Sequence, residues 1–279
     1  MIKKVIKILF SIYERIKFKI LQKQFSNIED CIYHCEKKNL GSYNNEELSK
    51  FSYDKFIENK DDFRSNYNNS HKFLLESILI YLYRYKKLPK ILDIGGVFGE
   101  NKIFLDFLFQ NNEIVYDVVE IQNKVKLAKD LKHSKFYDNL EEGLKNDYDL
   151  IFSSGTLQYF KNPYEILDKI LESKKKYIAF TRGNYHLTDE LYIAQVSKII
   201  HNGPGEGWIE KNYSNKIIYF PNTAISFEKF KKKILKKNYK VVRETQGVEG
   251  NLGTNTFTKN ILISNFNLKF SLNPKILVK

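Results

Sequence analysis

The chain has 279 residues, 42% of them hydrophobic and 15% aromatic, with 5 Pro and 13 Gly. That length suits one large domain or a domain with an appended piece. The composition excludes disordered, collagen-like and low-complexity architectures, because there is enough apolar surface to offset the entropy of folding. Lys and Arg outnumber Asp and Glu by 46 to 33, a net charge of +13, and such a field favours anionic partners: a phosphorylated or nucleotide-linked small molecule, an anionic membrane surface, or nucleic acid. No RNA- or DNA-binding motif accompanies the charge, so nucleic acid is not the expected partner. Cys31 and Cys35, the 2 cysteines, cannot make a disulfide framework, and they point to a reducing, cytosolic compartment. With His34 between them they could offer metal ligands from one helix, but no second pair follows at zinc-site spacing, so no metal is expected.

The first segment, residues 1–24, places Ile2, Val5, Ile6, Leu9, Ile12, Tyr13, Ile16, Ile20 and Leu21 at helical spacing among Lys3, Lys4, Lys7, Arg15, Lys17 and Lys19. No apolar run reaches the roughly 20 residues of a bilayer span, and no small-residue cleavage site follows. Two readings of this basic amphipathic helix stay open: a peripheral contact with anionic lipid at the inner membrane face or with a partner, or a helix laid on the protein's own core. Residues 28–87 keep a helical pattern and end in the apolar stretch 71–85, for which Ser70 offers an N-cap. Residues 1–88 thus form a helical leader and cap, closed by Pro89.

From residue 89 to 279 short apolar runs alternate with amphipathic helices, the signature of a parallel sheet with crossover helices. Strands are expected at 90–94, 114–121, 134–137, 149–153 and 177–181, and helices at 100–111, 123–131, 140–145 and 163–173. The last helix has Asn162 as N-cap, Pro163 at its first position and Glu165 in its first turn. An irregular insertion at about 183–225 is far longer than an ordinary connection, as functional loops often are. A helix from Ser226, then strands at 239–245 and 260–266, read as a final antiparallel hairpin. The expected fold is α/β, a doubly wound Rossmann-like seven-stranded sheet, mostly parallel with an antiparallel last strand, preceded by a helical region.

The segment Ile91-Leu92-Asp93-Ile94-Gly95-Gly96-Val97-Phe98-Gly99-Glu100 is an apolar strand entering a glycine-rich turn that opens a helix. Such a turn lets the backbone approach a ligand, and the helix start adds free N–H groups. Its glycine spacing fails the G-x-G-x-x-G of dinucleotide sites, and it lacks the Lys and Ser/Thr of a P-loop. It resembles motif I of class I S-adenosylmethionine-dependent methyltransferases, an acid followed by G-x-G-x-G. Asp93, Gly95 and Gly99 match, while Val97 stands for the middle glycine with Gly96 beside it.

Three further features fall in the order that the resemblance requires. Val118-Val119-Glu120-Ile121 ends the second strand with Glu120, 21 positions after Gly99, suited to accept from both ribose hydroxyls. Phe136-Tyr137-Asp138-Asn139-Leu140 is similar to an adenine-contact segment. The run from Tyr148 to Pro163 resembles the strand-four region, with Ser154, Gln158 and Tyr159 after the strand. The resemblance covers roughly residues 90–266 and extends to a branch of bacterial methyltransferases encoded with surface-polysaccharide synthesis.

It implies S-adenosylmethionine as cofactor, bound by Asp93, Gly95, Gly96, Gly99, Glu120, Ile121, Asp138, Asn139, Ser154, Gln158 and Tyr159. The implied reaction is O-methylation of a sugar hydroxyl, or of a phosphoryl- or phosphoramidate-bearing precursor, in capsule or other surface-glycan synthesis. A hydroxyl acceptor calls for a base, and histidine matches neutral pH best. His186 and then His201 are the candidates, since both follow the fifth strand at the edge where open α/β sheets bind ligands. Arg182, Tyr185 and Trp208 are the expected acceptor contacts, Arg182 as a bidentate partner of an acidic group. Residues 203–208 read as a hinged lid or an exposed tight turn. Two alternatives share the sequence features: an RNA methyltransferase, and a non-catalytic membrane-peripheral partner with a degenerate form of the same fold.

Overall fold

A computed structural model describes residues 17–38, 45–64, 69–110, 114–202, 216–247 and 255–265. Most of the basic leader, 1–16, and the lid segment 203–208 with Trp208 lie outside the described residues.

The apolar runs after Pro89 form the sheet. β2 (Ile91–Ile94), β3 (Tyr116–Val119), β4 (Phe136–Tyr137), β5 (Leu150–Ser154) and β6 (Tyr177–His186) run parallel, and β10 (Thr256–Ser264) lies antiparallel to β6, with β9 (Lys240–Gln246) antiparallel to β10. The spatial order of these seven is β4-β3-β2-β5-β6-β10-β9, so the Rossmann-like, doubly wound sheet with an antiparallel last strand is the observed fold. The near-continuous apolar sequence of the central strands follows from their position. Every residue of β2 is buried, because a parallel strand covered on both faces has no wet side.

Alternate residues feed two cores. Leu92, Ile94, Ile151, Ile178 and Phe180 face one way, onto α6 (Leu140–Lys145), α7 (Pro163–Glu172) and α8 (Phe227–Lys236). Ile91, Leu150, Phe152, Tyr177 and Ala179 face the other, onto α3 (Asn69–Tyr85) and α4 (Glu100–Phe109). α7 begins as its sequence demands, with Asn162 at the N-cap and Pro163 inside it, and α8 is capped by Ser226, whose Oγ accepts from the Lys229 N–H at 3.2 Å. Ser70 is not an N-cap. α3 starts at Asn69, and the Ser70 hydroxyl reaches the Ser154 hydroxyl at 3.0 Å instead.

The stretch expected to be irregular is largely strand. β6 continues through Gly183 to His186, and β7 (Leu191–Lys198) and β8 (Ile217–Ser226) form an antiparallel pair, with β1 (Lys23–Phe25) on the outer edge of β7. β5 stops at Ser154, level with Thr181, and beyond it β8 takes β5's place beside β6, pairing Tyr185 with Ile225 and His186 with Ser226. The β8-β7-β1 ribbon therefore stands as a wall over the carboxyl edge of β5. The polar alternation of its strands hid it from a search for apolar runs.

The helical leader completes the enclosure. α1 (Ile28–Glu36) packs Ile28, Cys31 and Cys35 on Ala194 of β7. One face of α2 (Glu46–Glu58) seats Leu48 and Phe51 on Ile199, Ile218 and Phe220 of the wall. Tyr53 and Phe56 of α2 pack on Phe98 in the glycine turn, with ring centroids 5.2 and 5.5 Å apart. The Lys55 ammonium is buried and donates to the Ile200 carbonyl at 3.0 Å. α2 thus roofs the sheet's carboxyl edge from the glycine turn to the wall.

Phe56 is fully buried and also stacks on Phe63 at 5.5 Å. Phe56→Ala should cost about 3–5 kcal/mol, read as a lower urea midpoint with an unchanged m-value.

Candidate functional site

The turn after β2 has left-handed backbone at Gly95 (φ 79°), Val97 (φ 49°) and Gly99 (φ 78°). Glycine reaches this region freely, whereas a β-branched residue there is strained by about 1–2 kcal/mol. Val97 nonetheless adopts the left-handed conformation, and its side chain is held in the cluster of Tyr53, Phe56, Phe63 and Phe98. Gly96 has a different reason to lack a side chain, since a Cβ there would lie 2.4 Å from Asp93 Oδ2. His133 pins the turn from outside, its Nε2 2.8 Å from the Phe98 carbonyl. Burial lowers the His133 pKa, so the ring is neutral and donates from Nε2.

Asp93 is 1% exposed and sits on the α3/α4 side of β2, where Tyr116 and, at 3.0 Å, Asn101 Nδ2 donate to its Oδ2. Its Oδ1 is buried with no partner. Glu100, the first residue of α4, has a second orphaned oxygen, Oε2. Burial pushes both acids up to about 7; Tyr116 and Asn101 act against it for Asp93, and the N–H groups of Glu100 and Phe98 together with Lys124 act against it for Glu100. Glu120 follows β3, with the Ile121 N–H on its Oε1 at 3.1 Å and Lys124 Nζ on the same oxygen at 3.2 Å. The two side chains of this ion pair are 8% and 10% exposed. Glu120 Oε2 has no hydrogen-bond partner among the described residues.

Across the edge, a Cβ on Gly95 would fall 2.2 Å from Thr156 Oγ1, and one on Gly155 would lie 3.5 Å from Arg182 Cβ. The strand-four turn thus closes on the glycine turn through Thr156, and Arg182 lies against the strand-four turn at Gly155. Arg182 is itself left-handed (φ 54°), and its N–H donates to Asn260 Oδ1 at 2.9 Å where the β6–β10 register shifts. Behind them a buried amide network ties the edge to the wall. The Asn184 N–H donates to Gln158 Oε1 (2.9 Å), Asn184 Nδ2 to Asn222 Oδ1 (2.9 Å), and both Asn222 Nδ2 (3.2 Å) and the Tyr159 hydroxyl (2.7 Å) to Gln195 Oε1.

The structure brings Asp93, Gly95, Gly96, Gly99, Glu120, Ile121, Ser154, Gln158 and Tyr159 to one edge of the sheet. Asn139 caps α6 by accepting the Glu142 N–H at 3.1 Å, and Asp138 is exposed beside it. Tyr185 does not face an acceptor. It is 1% exposed and packed against Phe227, Phe230 and Phe257.

His186 lies five residues past Thr181, the last β6 residue paired with β5, a strand length of roughly 16 Å. Its Nδ1 accepts the Asp189 N–H at 3.2 Å. That bond occupies the Nδ1 lone pair and puts the proton of a neutral ring on Nε2. His201 ends a short 3-10 turn, Ile199–His201, and its side chain lies outside the described residues.

Sequence reasoning missed Glu100, Lys124, His133 and the amide network. Among the described residues no helix is long and apolar enough to cross a membrane and no cluster of His, Cys, Asp and Glu is arranged to hold a metal.

No protein-family model matches the chain, and no curated protein matches it. The chain is similar to several solved structures. A S-adenosylmethionine-dependent methyltransferase from Clostridium acetobutylicum is 11% identical, over 77% of this chain and 99% of that one, with a TM-score of 0.47. Human N-acetylserotonin methyltransferase in complex with S-adenosylmethionine is 14% identical, over 84% and 60%, with a TM-score of 0.45. Magnesium protoporphyrin IX methyltransferase from Synechocystis, with bound S-adenosylmethionine, is 11% identical, over 78% and 97%, with a TM-score of 0.42.

Asp93 and Glu100 bind their protons more tightly folded than unfolded, so the stability they contribute is complete below about pH 4 and is lost as the pH rises through about 7. Urea titrations of the ligand-free protein should show a falling unfolding free energy between pH 5 and pH 8. Glu100→Gln should flatten that slope and be more stable than wild type at pH 8 by about 1–3 kcal/mol.

Proposed function

We propose that the chain is an S-adenosylmethionine-dependent methyltransferase. The observation that carries this reading is the pairing, on adjacent parallel strands, of the left-handed Gly95–Gly99 turn with Glu120, whose Oε2 is unengaged. The residues fit the cofactor. Glu120 Oε2 can accept from ribose hydroxyls, and the orphaned Asp93 Oδ1 and Glu100 Oε2 suit a ligand with a positively charged amino-acid end. The glycine turn offers a close backbone approach, and Ile121 and Asn139 flank the edge where an adenine would lie.

When bound, the cofactor supplies a methyl group already activated by the sulfonium. The chain's own work is then alignment and exclusion of water. Glu120 orients the sugar, the strand-four turn from Ser154 to Tyr159 bounds the reacting side, and the α2 roof with Tyr53 and Phe56 keeps bulk water from the turn. Gln195 fixes the Tyr159 hydroxyl, so that ring presents a set face to the edge.

For the acceptor we favour an oxygen that already carries negative charge, on a phosphoryl- or phosphoramidate-bearing glycan precursor such as surface-polysaccharide synthesis uses. A sugar hydroxyl must lose its proton to a base, and the Nδ1 lone pair of His186 is already taken by the Asp189 N–H. An anionic oxygen attacks without proton removal. Arg182 on β6 and the net charge of +13 suit it, and such an acceptor needs nothing from His186.

Calorimetry should detect S-adenosylmethionine binding in the micromolar range, about −8 kcal/mol. Absence of heat and of any thermal shift at millimolar ligand would reject the reading. Glu120→Ala should weaken binding at least about tenfold, since each ribose bond contributes about 1 kcal/mol, while the variant keeps a cooperative melt. An unchanged dissociation constant removes Glu120 from the site.

A further inference from the structure

Lys124 is the feature of this site that the proposed chemistry does not use. It sits one helical turn after Glu120 on α5 (Gln122–Ala128), where an i, i+4 lysine ordinarily points to solvent and contributes a few tenths of a kcal/mol at most. Here both partners are about nine-tenths buried, with Nζ 3.2 Å from Oε1. Burying an ammonium is costly unless several negative groups compensate it. The compensation comes from three elements: Glu120 after β3, Glu100 at the start of α4, which feels the lysine charge directly, and Asp93 at the end of β2, which faces both carboxylates. Tyr116 and Asn101 are the neutral groups packed against this set. Asp93 Oδ1 stays buried and unpartnered beside them. The cluster is three acids, two of them pushed up to about 7 by burial, with one resident cation.

Resting on the reading of the site given above, we infer that Lys124 is a specificity-determining residue that sets the relative affinity of this pocket for the cationic methyl donor and for its neutral demethylated product. The two ligands differ by the methyl and the positive charge on sulfur. The ribose is the part that Glu120 would grip, so the sulfonium carried on it would lie near a second positive charge, the ammonium of the largely buried Lys124–Glu120 pair. Screening by salt is weak there. Lys124 therefore penalises the donor relative to the product and makes the pocket responsive to the ratio of the two. Removing the ammonium should shift the balance toward the donor.

The test is calorimetric titration of wild type, Lys124→Met and Lys124→Arg with S-adenosylmethionine and with S-adenosylhomocysteine, in the same low-salt buffer. Lys124→Met, close in length and apolar, should tighten the donor relative to the product by roughly tenfold, whereas Lys124→Arg should keep the wild-type ratio. A purely structural lysine would change both affinities together and leave the ratio where it was, so a ratio within twofold of wild type in Lys124→Met overturns the inference. Lys124→Gln, which keeps a polar head group, gives the same reading should the methionine variant fail to fold. If wild type binds neither ligand, the methyltransferase reading falls first. If wild type binds both and the ratio ignores residue 124, only the role of Lys124 falls.

Discussion

The constraint on which the rest depends is the burial of the Asp93 carboxyl beneath the turn that follows it. An apolar strand buried on both faces has no natural place for an acid, and Asp93 is tolerated because Tyr116 and Asn101 bind one of its oxygens. Folding that carboxyl under the chain removes the room for a side chain at residue 96 and drives the backbone through left-handed conformations at 95, 97 and 99. Those conformations direct the start of α4 at the open edge of the sheet, and they place Glu100 where its carboxylate is buried too. The strain this puts on Val97 is balanced by aromatic packing from α2. A helix far upstream in sequence is therefore part of the turn.

The same edge is closed on its other side by a device foreign to a minimal doubly wound sheet. β6 overruns the end of β5, and β8 steps in beside it. The ribbon that results meets the roof helix through Phe51 and Phe220 and meets the strand-four turn through Tyr159. Two asparagines with almost no exposure, 184 and 222, lie at this junction. Buried amides are costly unless bonded, and the bonds these two make require β6, β7, β8 and the turn after β5 to meet in one register, with Asn184 Oδ1 alone left unpartnered between them. The network fixes the wall against the sheet, so the width of the crevice is set by specific hydrogen bonds and not by nonspecific apolar contact.

Much of the sheet and half of the site were legible in the sequence because their signals are local. Parallel strands are short apolar runs, and the turn and Glu120 lie within 30 residues of one another, each next to a strand end. α7 and α8 announced themselves through Asn162, Pro163 and Ser226. What escaped depended on partners distant in the chain. β7 and β8 alternate polar and apolar residues, and Gln195 and Asn222 look solvated until β6 brings Asn184 between them. Ser70 has the chemistry of a cap but finds Ser154, 84 residues away, before it finds its own helix. Lys124 and Glu100 carry charges that sequence logic assigns to solvent. Packing between α2 and the helix that carries Lys124 helps make that lysine interior. Tyr185, next to His186, looked like a site residue by its place after the fifth strand, yet strand alternation turns it into the core.

Charge then links these parts. The surface is strongly basic, while the pocket at the glycine turn collects carboxylates that burial holds near the middle of their titration. A basic exterior draws anionic molecules toward the edge where Arg182 lies. The acidic interior a few residues away favours a cation, moderated by Lys124. On the reading proposed above, that lysine bears on how tightly the neutral product is kept once the charge on sulfur has gone.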